Sequence, residues 1–288
     1  MDVIGNKNSK TLFIYPDGGL GNRLISIYWG LYWQSRLKCK MKILWEIDMA
    51  CGIRFEKLFA PLSNVNVKTI YTMPVSYEIT LQSAIGKWHK KLRKKRLNYF
   101  SAREIIHQLY TDDTEMALER LADYSKEQMI RPYENLVDWK YISKVAGSIK
   151  PVAEIADRVN NIMGAYKESS VIGIHIRRTD HKQAIQKSPL SVFVDQMDKI
   201  MEDAPDTYFY LATDDTEVES QLAERFPLIK HIYFSSEKSR RTEAGMMDAY
   251  VDMLCLSRCD KIYGSYLSTF SKMASVIGGK ECIVLQEE

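Results

Sequence analysis

The sequence is short of most features that mark a protein class at a glance. Its five cysteines (Cys39, Cys51, Cys255, Cys259 and Cys282) are odd in number and widely spaced, which argues against a disulfide framework and predicts a reducing compartment. Cys255 and Cys259 stand four positions apart with no second pair and no histidine beside them, so they read as buried, inert thiols rather than zinc ligands. Histidine is equally scarce, with five scattered copies, and a formal net charge of +3 is far from the basic excess of a nucleic-acid-binding domain. No run approaches the ~20 apolar residues that span a bilayer. The segment from Met1 to Lys10 is polar, unlike a secretory signal. Together these absences predict a cytoplasmic protein that binds no nucleic acid.

What is present is ordinary in amount and ordered in arrangement. The 45% hydrophobic and 27% charged content is that of a soluble globular chain, and 288 residues allow one or two domains, with two compact halves fitting best. One basic cluster stands out, from Lys87 through Lys90, Lys91, Arg93, Lys94 and Lys95 to Arg96. It reads first as a solvated surface helix or loop, and second as a peripheral contact with anionic lipid headgroups on the inner face of the membrane, or with an anionic acceptor.

Thr11 to Tyr15 is a short apolar run of strand type, followed by Asp17-Gly18-Gly19-Leu20-Gly21-Asn22 and a periodic apolar stretch from Leu24 to Leu37. With a second strand signal at Met41 to Trp45, the opening has βαβ character. The middle, from about Thr69 to Tyr141, is polar and reads as mostly helical. Gly147-Ser148-Ile149-Lys150-Pro151 is a polar break and a domain junction, giving an N-terminal domain over 1–150 and a C-terminal one over 151–288. After the helical stretch Ala153 to Tyr166, the second half alternates. Strands are predicted at Val171–Ile176, Tyr208–Ala212, Ile229–Phe234, Lys261–Gly264 and Cys282–Leu285. Helices fall between them at Leu190–Met201, Glu217–Arg225, Glu243–Arg258 and Thr269–Ile277. That is a doubly wound α/β pattern, in which ligands sit beyond the carboxyl ends of the strands.

Chemistry is therefore sought just after each strand. The first of these strands runs into His175-Ile176-Arg177-Arg178-Thr179-Asp180. Alternation puts His175 and Arg177 on one face and Arg178 on the other. A guanidinium keeps its charge and grips phosphate oxygens with two parallel hydrogen bonds, so the pair suits a diphosphate; the alternative is an internal ion pair with Asp180. Leu211-Ala212-Thr213-Asp214-Asp215 follows the next strand. Ser268-Thr269-Phe270-Ser271 opens a helix, where hydroxyls and free backbone N–H groups receive anions. Either alone reads equally well as a helix cap. Asp248 and Asp252, four apart on one helix face, repel and require compensation.

In order and spacing these three peptides resemble those of the GDP-fucose-dependent fucosyltransferases: the α1,6 and rhizobial chitooligosaccharide enzymes with their α1,2 and protein-O-fucosyltransferase relatives. The likeness covers about Ile172 to Ile277, and Gly18-Gly19-Leu20-Gly21-Asn22-Arg23 resembles their N-terminal glycine-rich loop with Arg23 in place of glutamine. It implies an α/β protein of GT-B type, two Rossmann-like domains facing across a cleft. It also implies inverting, metal-independent transfer of L-fucose from GDP-fucose to a glycan or lipid-linked glycan. Arg177 would stabilise the departing diphosphate. Gly19, Gly21, Asn22, His175, Arg178, Asp214, Ser268, Thr269 and Phe270 would join it in holding the donor, and Asp252 would read the guanine edge. No cofactor is expected, because arginine supplies the charge a metal would. The glutamate that the α1,6 enzymes place ten residues beyond the motif histidine is Ile185 here, which leaves Asp180 as the first choice of base and His181 and Asp17 as alternatives. Two other outcomes stay open: a related enzyme using another nucleotide sugar, or a catalytically silent glycan-binding relative.

Overall fold

A computed structural model describes residues 11–71, 138–166, 169–179, 182–231 and 238–287. The basic cluster 87–96, most of the middle expected to be helical, Asp180, His181 and the last residues of the strand expected to reach Phe234 lie outside them. The chain divides into two compact units between Ile149 and Lys150.

The first unit holds β1 (Thr11–Ile14), α1 (Leu20–Leu37), β2 (Lys40–Ile47), α2 (Phe55–Leu58), β3 (Val65–Tyr71) and α3 (Trp139–Ser143). Its three strands run parallel in the order β1-β2-β3. Leu12 and Ile14 are buried at alternate positions of β1, whereas β2 alternates only as far as Ile43 and is buried continuously from Ile43 to Glu46. α1 begins at Leu20, four residues before the predicted start, because the Arg23 N–H closes a first turn on the Gly19 carbonyl at 3.0 Å. The glycine-rich segment is thus the entry of a helix as much as a loop, and Gly18, at φ +79°, supplies the left-handed turn that leads into it.

The second unit contains α4 (Ala153–Gly164), β4 (Val171–Ile176), α5 (Lys182–Lys187), α6 (Leu190–Asp203), β5 (Tyr208–Thr213) and α7 (Thr216–Arg225). It continues with β6 (Ile229–His231), α8 (Glu243–Leu256), β7 (Lys261–Ser265), α9 (Thr269–Gly278) and β8 (Glu281–Leu285). All five strands are parallel, in the order β6-β5-β4-β7-β8. The chain winds outward from β4 in one direction through β5 and β6, then returns to the other side of β4 for β7 and β8. The strand order reverses between β4 and β7, the switch point beyond which such sheets bind ligands in a crevice.

Both faces of this sheet are covered. Ile174, Ile176, Phe209 and Leu211 point to the face occupied by Phe193 and Met197 of α6 and Leu222 of α7. Removing side chains of this size from water contributes about 2–3 kcal/mol each. The opposite face carries Gly173, where an added Cβ would lie 2.9 Å from Leu256 of α8, and Gly264, where it would lie 2.4 Å from Ser271 of α9. His175 pairs in register with Gly264, so it shares that second face with α8 and α9. The fold therefore sets the motif histidine over the two helices whose amino ends frame the crevice.

Candidate functional site

The tip of β4 is tied to the tip of β7 by one hydroxyl. Ser265 Oγ accepts the Arg177 backbone N–H at 3.0 Å and donates to the His175 carbonyl at 3.3 Å. His175 is buried; its ring stacks on Phe270, with centroids 4.8 Å apart and planes 20° off parallel, and its Nδ1 is 3.4 Å from Ser268 Oγ. Burial pushes the imidazole pKa down to about 4, opposed by Asp214 and assisted by Arg177 and Arg240. At neutral pH the ring is uncharged, one nitrogen donating and the other accepting, so it is suited to hydrogen bonding rather than to carrying charge.

Ser268 is the N-cap of α9, yet its side chain makes no capping hydrogen bond. Its hydroxyl is directed to His175 instead, and the first-turn N–H groups of a ten-residue helix are left at the crevice with the positive end of the helix dipole.

A cavity of about 120 Å3 opens beside this tip, lined by His175, Arg177 and Phe270 together with Asp214, Lys238, Arg240, Asp248 and Asp252. Each carboxylate in it is engaged differently. Asp214 accepts the Arg178 N–H at 2.7 Å, the Thr179 N–H at 3.3 Å and the Thr179 hydroxyl at 2.7 Å, and so shapes the turn that follows β4. Asp248 is ion-paired with Arg158 of α4, which is the compensation its spacing from Asp252 calls for. Asp252 accepts the Tyr210 hydroxyl at 2.8 Å and has no other hydrogen bond among the described residues. Burial raises its pKa to about 7; the Tyr210 hydrogen bond and Lys238 act against the rise, Asp248 and Glu219 with it. A half-buried carboxylate poised at neutrality, with an oxygen left to accept, fits a ligand that brings its own N–H donors.

The remaining expected residues fall elsewhere. Arg178 does not line the cavity: its Nη1 reaches the Ile185 carbonyl at 3.5 Å, while Nη2 is buried without a hydrogen bond among the described residues. Asp215 is the N-cap of α7, accepting from the Glu217 and Val218 N–H groups. Gly19, Gly21 and Asn22 belong to the first unit, where Asn22 Oδ1 is buried with no hydrogen bond among the described residues. Arg23 is wholly buried: Nε donates to the Gly18 carbonyl at 2.7 Å, Nη1 to the Glu46 carbonyl and Nη2 to Asp48 at 3.0 Å, and the guanidinium lies 4.7 Å from the Trp45 ring centroid. Its donors are spent on holding the turn before α1 against the end of β2.

The sequence reading missed Lys238, Ser239, Arg240 and Gly245, all on the cavity wall. Lys238, Ser239 and Arg240 stand between β6 and α8 in the chain, whereas Gly245 lies in the first turn of α8. At Gly245 an added Cβ would stand 2.1 Å from the Ser239 carbonyl oxygen. Gly245→Ala is therefore expected to push the 238–242 loop outward and to destabilise the second unit by about 1–3 kcal/mol, read as a lowered midpoint in thermal unfolding. Among the described residues no cluster of three or more His, Cys, Asp or Glu is arranged to hold a metal, and no helix is long and apolar enough to cross a membrane.

No protein-family profile matches the chain, and no curated protein matches it in sequence. Solved structures do match in shape. NodZ α1,6-fucosyltransferase soaked with GDP-fucose is 16% identical, with a TM-score of 0.61 over 94% of this chain and 93% of that one. Fucosyltransferase NodZ from Bradyrhizobium, at 17% identity, gives 0.61 over 93% of each chain. POFUT1 in complex with GDP-fucose, at 12% identity, gives 0.59 over 97% and 98%. The chain has the fold of these fucosyltransferases. They are the enzymes to which the peptides at His175, Leu211 and Ser268 bear their resemblance, and the likeness extends over nearly the whole chain.

Proposed function

We propose that the protein is a metal-independent, inverting glycosyltransferase that moves L-fucose from GDP-fucose to a glycan or lipid-linked glycan. In this reading the two units are the Rossmann-like halves of a GT-B enzyme, with the donor on the second. The observation that carries it is the cavity at the switch point of the second sheet. It joins a guanidinium, a helix amino end and an accepting carboxylate, in a fold whose solved members were crystallised with GDP and GDP-fucose.

The roles follow from the chemistry of each group. Departure of the sugar builds charge on the β-phosphate, and Arg177 with the first turn of α9 meets that charge where it develops. Ser268 and Thr269 add hydroxyls, and neutral His175 adds a hydrogen bond without changing the charge. Asp252 accepts from the N1–H and amino group of guanine, a pairing that pyrimidine bases do not offer in the same pattern. Phe270 supports the His175 ring. With cationic side chains and a helix dipole facing the diphosphate, no divalent ion is required for the leaving group. Asp180 takes the proton of the acceptor hydroxyl. It follows directly on Thr179, whose N–H and hydroxyl are fixed by Asp214. Gly19, Gly21 and Asn22, in the first unit, keep the donor-binding part that the resemblance assigns them.

The reading is tested by thermal-shift titration with GDP, UDP and dTDP, followed by transfer and hydrolysis assays on radiolabelled GDP-fucose in EDTA. GDP at 100 times its Kd is expected to stabilise the protein by about 2.7 kcal/mol, with little response to the other two. Stabilisation by UDP and none by GDP would replace guanosine with another nucleotide, and turnover that vanishes in EDTA and returns with Mg2+ would remove the metal-independent mechanism.

A further inference from the structure

One wall of the cavity is a loop, 238–242, held in place by a buried contact that involves no ligand. Lys238 Nζ lies 2.9 Å from Glu219 Oε2 and donates to the Thr213 carbonyl at 2.9 Å, and the Glu219 side chain is 2% exposed. Glu219 sits in the first turn of α7 and Thr213 ends β5, so one ammonium ties the loop to the carboxyl edge of the sheet. Four residues on, Thr242 donates to the Ser239 carbonyl at 3.3 Å and accepts the Gly245 N–H at 3.1 Å, which seats the other end of the loop on α8. Asp252 lies two turns further along α8, and it and Lys238 line the same cavity.

We propose that Lys238 and Glu219 are a positioning pair for the base-binding end of this cavity, seating the 238–242 loop and presenting a positive charge to Asp252. This rests on the reading of the cavity as a nucleotide site. A buried ion pair is costly to assemble and adds little net stability, so its placement beside an accepting carboxylate points to a task other than holding the fold.

The surroundings of Asp252 define what the pair does. Tyr210 from β5 donates to it; Asp248 stands one turn away on its own helix, offset by Arg158 of α4; Glu219 comes from α7 and Lys238 from the loop. His175 and Arg177 from β4, Asp214 after β5 and Arg240 complete the cavity wall. Asp252 titrates at about 7, so it is protonated below that pH and ionised above it. A base that brings N–H donors requires the ionised form, and its affinity rises with pH through that range. Lys238 favours the ionised form and Glu219 opposes it. Loss of the lysine charge moves the midpoint up, whereas loss of the glutamate charge moves it down.

The test uses the full chain as wild type, Lys238→Met, Lys238→Arg and Glu219→Gln. GDP affinity is measured by calorimetry from pH 5.5 to 8.5. The Asp252 carboxyl is titrated without ligand by 13C NMR and assigned with Asp252→Asn. Lys238→Met is expected to raise both midpoints and weaken GDP roughly tenfold at pH 7. Glu219→Gln is expected to lower both midpoints, and Lys238→Arg to restore the wild-type profile. Midpoints that stay put, or move the same way in both variants while affinity falls, would reduce the pair to scaffolding and overturn the proposal. If Lys238→Met does not fold, Glu219→Gln decides alone, and an unmoved or raised midpoint overturns it. Carboxyl midpoints that part as expected in a protein that binds no GDP would uphold the effect of the pair on Asp252 and sink the nucleotide reading. GDP binding with midpoints that do not part would do the reverse.

Discussion

Arg177→Ala is expected to lower fucosyl transfer by two to three orders of magnitude, about 3–4 kcal/mol of barrier, the usual cost of removing one group aimed at developing negative charge. The loss falls mainly on kcat, because the charge it meets is greater in the transition state than in bound GDP-fucose. Arg177→Lys recovers a small part of it: the charge returns, but the planar fork that grips two phosphate oxygens does not. The anchor of the β4 tip is the Arg177 backbone N–H on Ser265 Oγ, which alanine keeps. Initial rates with radiolabelled GDP-fucose measure the loss, and a variant within a few-fold of wild type would remove Arg177 from the chemistry.

The largest expected loss of stability lies in the first unit. Arg23→Met takes the Arg23 donor from the Gly18 and Glu46 carbonyls, removes the cation paired with Asp48, whose Oδ1 keeps only the Ala50 and Cys51 N–H groups, and takes the cation from the face of Trp45. Breaking one side of such a buried pair costs on the order of 3–5 kcal/mol. Arg23→Lys restores little, since an ammonium on a flexible stem cannot reach three acceptors spread from Gly18 to Asp48. Denaturant unfolding followed by far-ultraviolet circular dichroism and tryptophan fluorescence reads the change. A shift below about 1 kcal/mol would show that the turn before α1 keeps its shape without the clamp.

The alternation of strand and helix in the second unit was legible because its strands are buried on both faces and read as apolar runs between polar helices. In the first unit α2 was too short to show a period, and β3 alternates Val65 and Val67 with Asn66 and Lys68, so it merges with the polar stretch that follows. At the site, His175 and Arg177 were legible by position, as polar groups at the end of an apolar strand, and Ser268 as a hydroxyl opening a helix. The groups that tune the cavity were not. Glu219, in the first turn of α7, reads as an acid placed to suit the helix dipole, yet it is 1% exposed. Tyr210 reads as one more aromatic in a core strand, and only the structure turns its hydroxyl toward Asp252. Arg23 reads as a loop residue within reach of a ligand, because its true partners, Glu46 and Asp48, are fixed by the β1–β2 pairing and not by local sequence.

None of the five cysteines forms a disulfide, and four of them are buried. Burial pushes the Cys51 thiol to about 11 and Cys255 to about 12, and raises Cys259 and Cys282 as well. Thiols held in the neutral form react slowly with maleimides and iodoacetamides. The native chain is therefore a quiet background for a single engineered reporter cysteine. At exposed Ile185, whose carbonyl receives Arg178, a dye would sit beside the turn that follows β4 and report donor binding without competing labels.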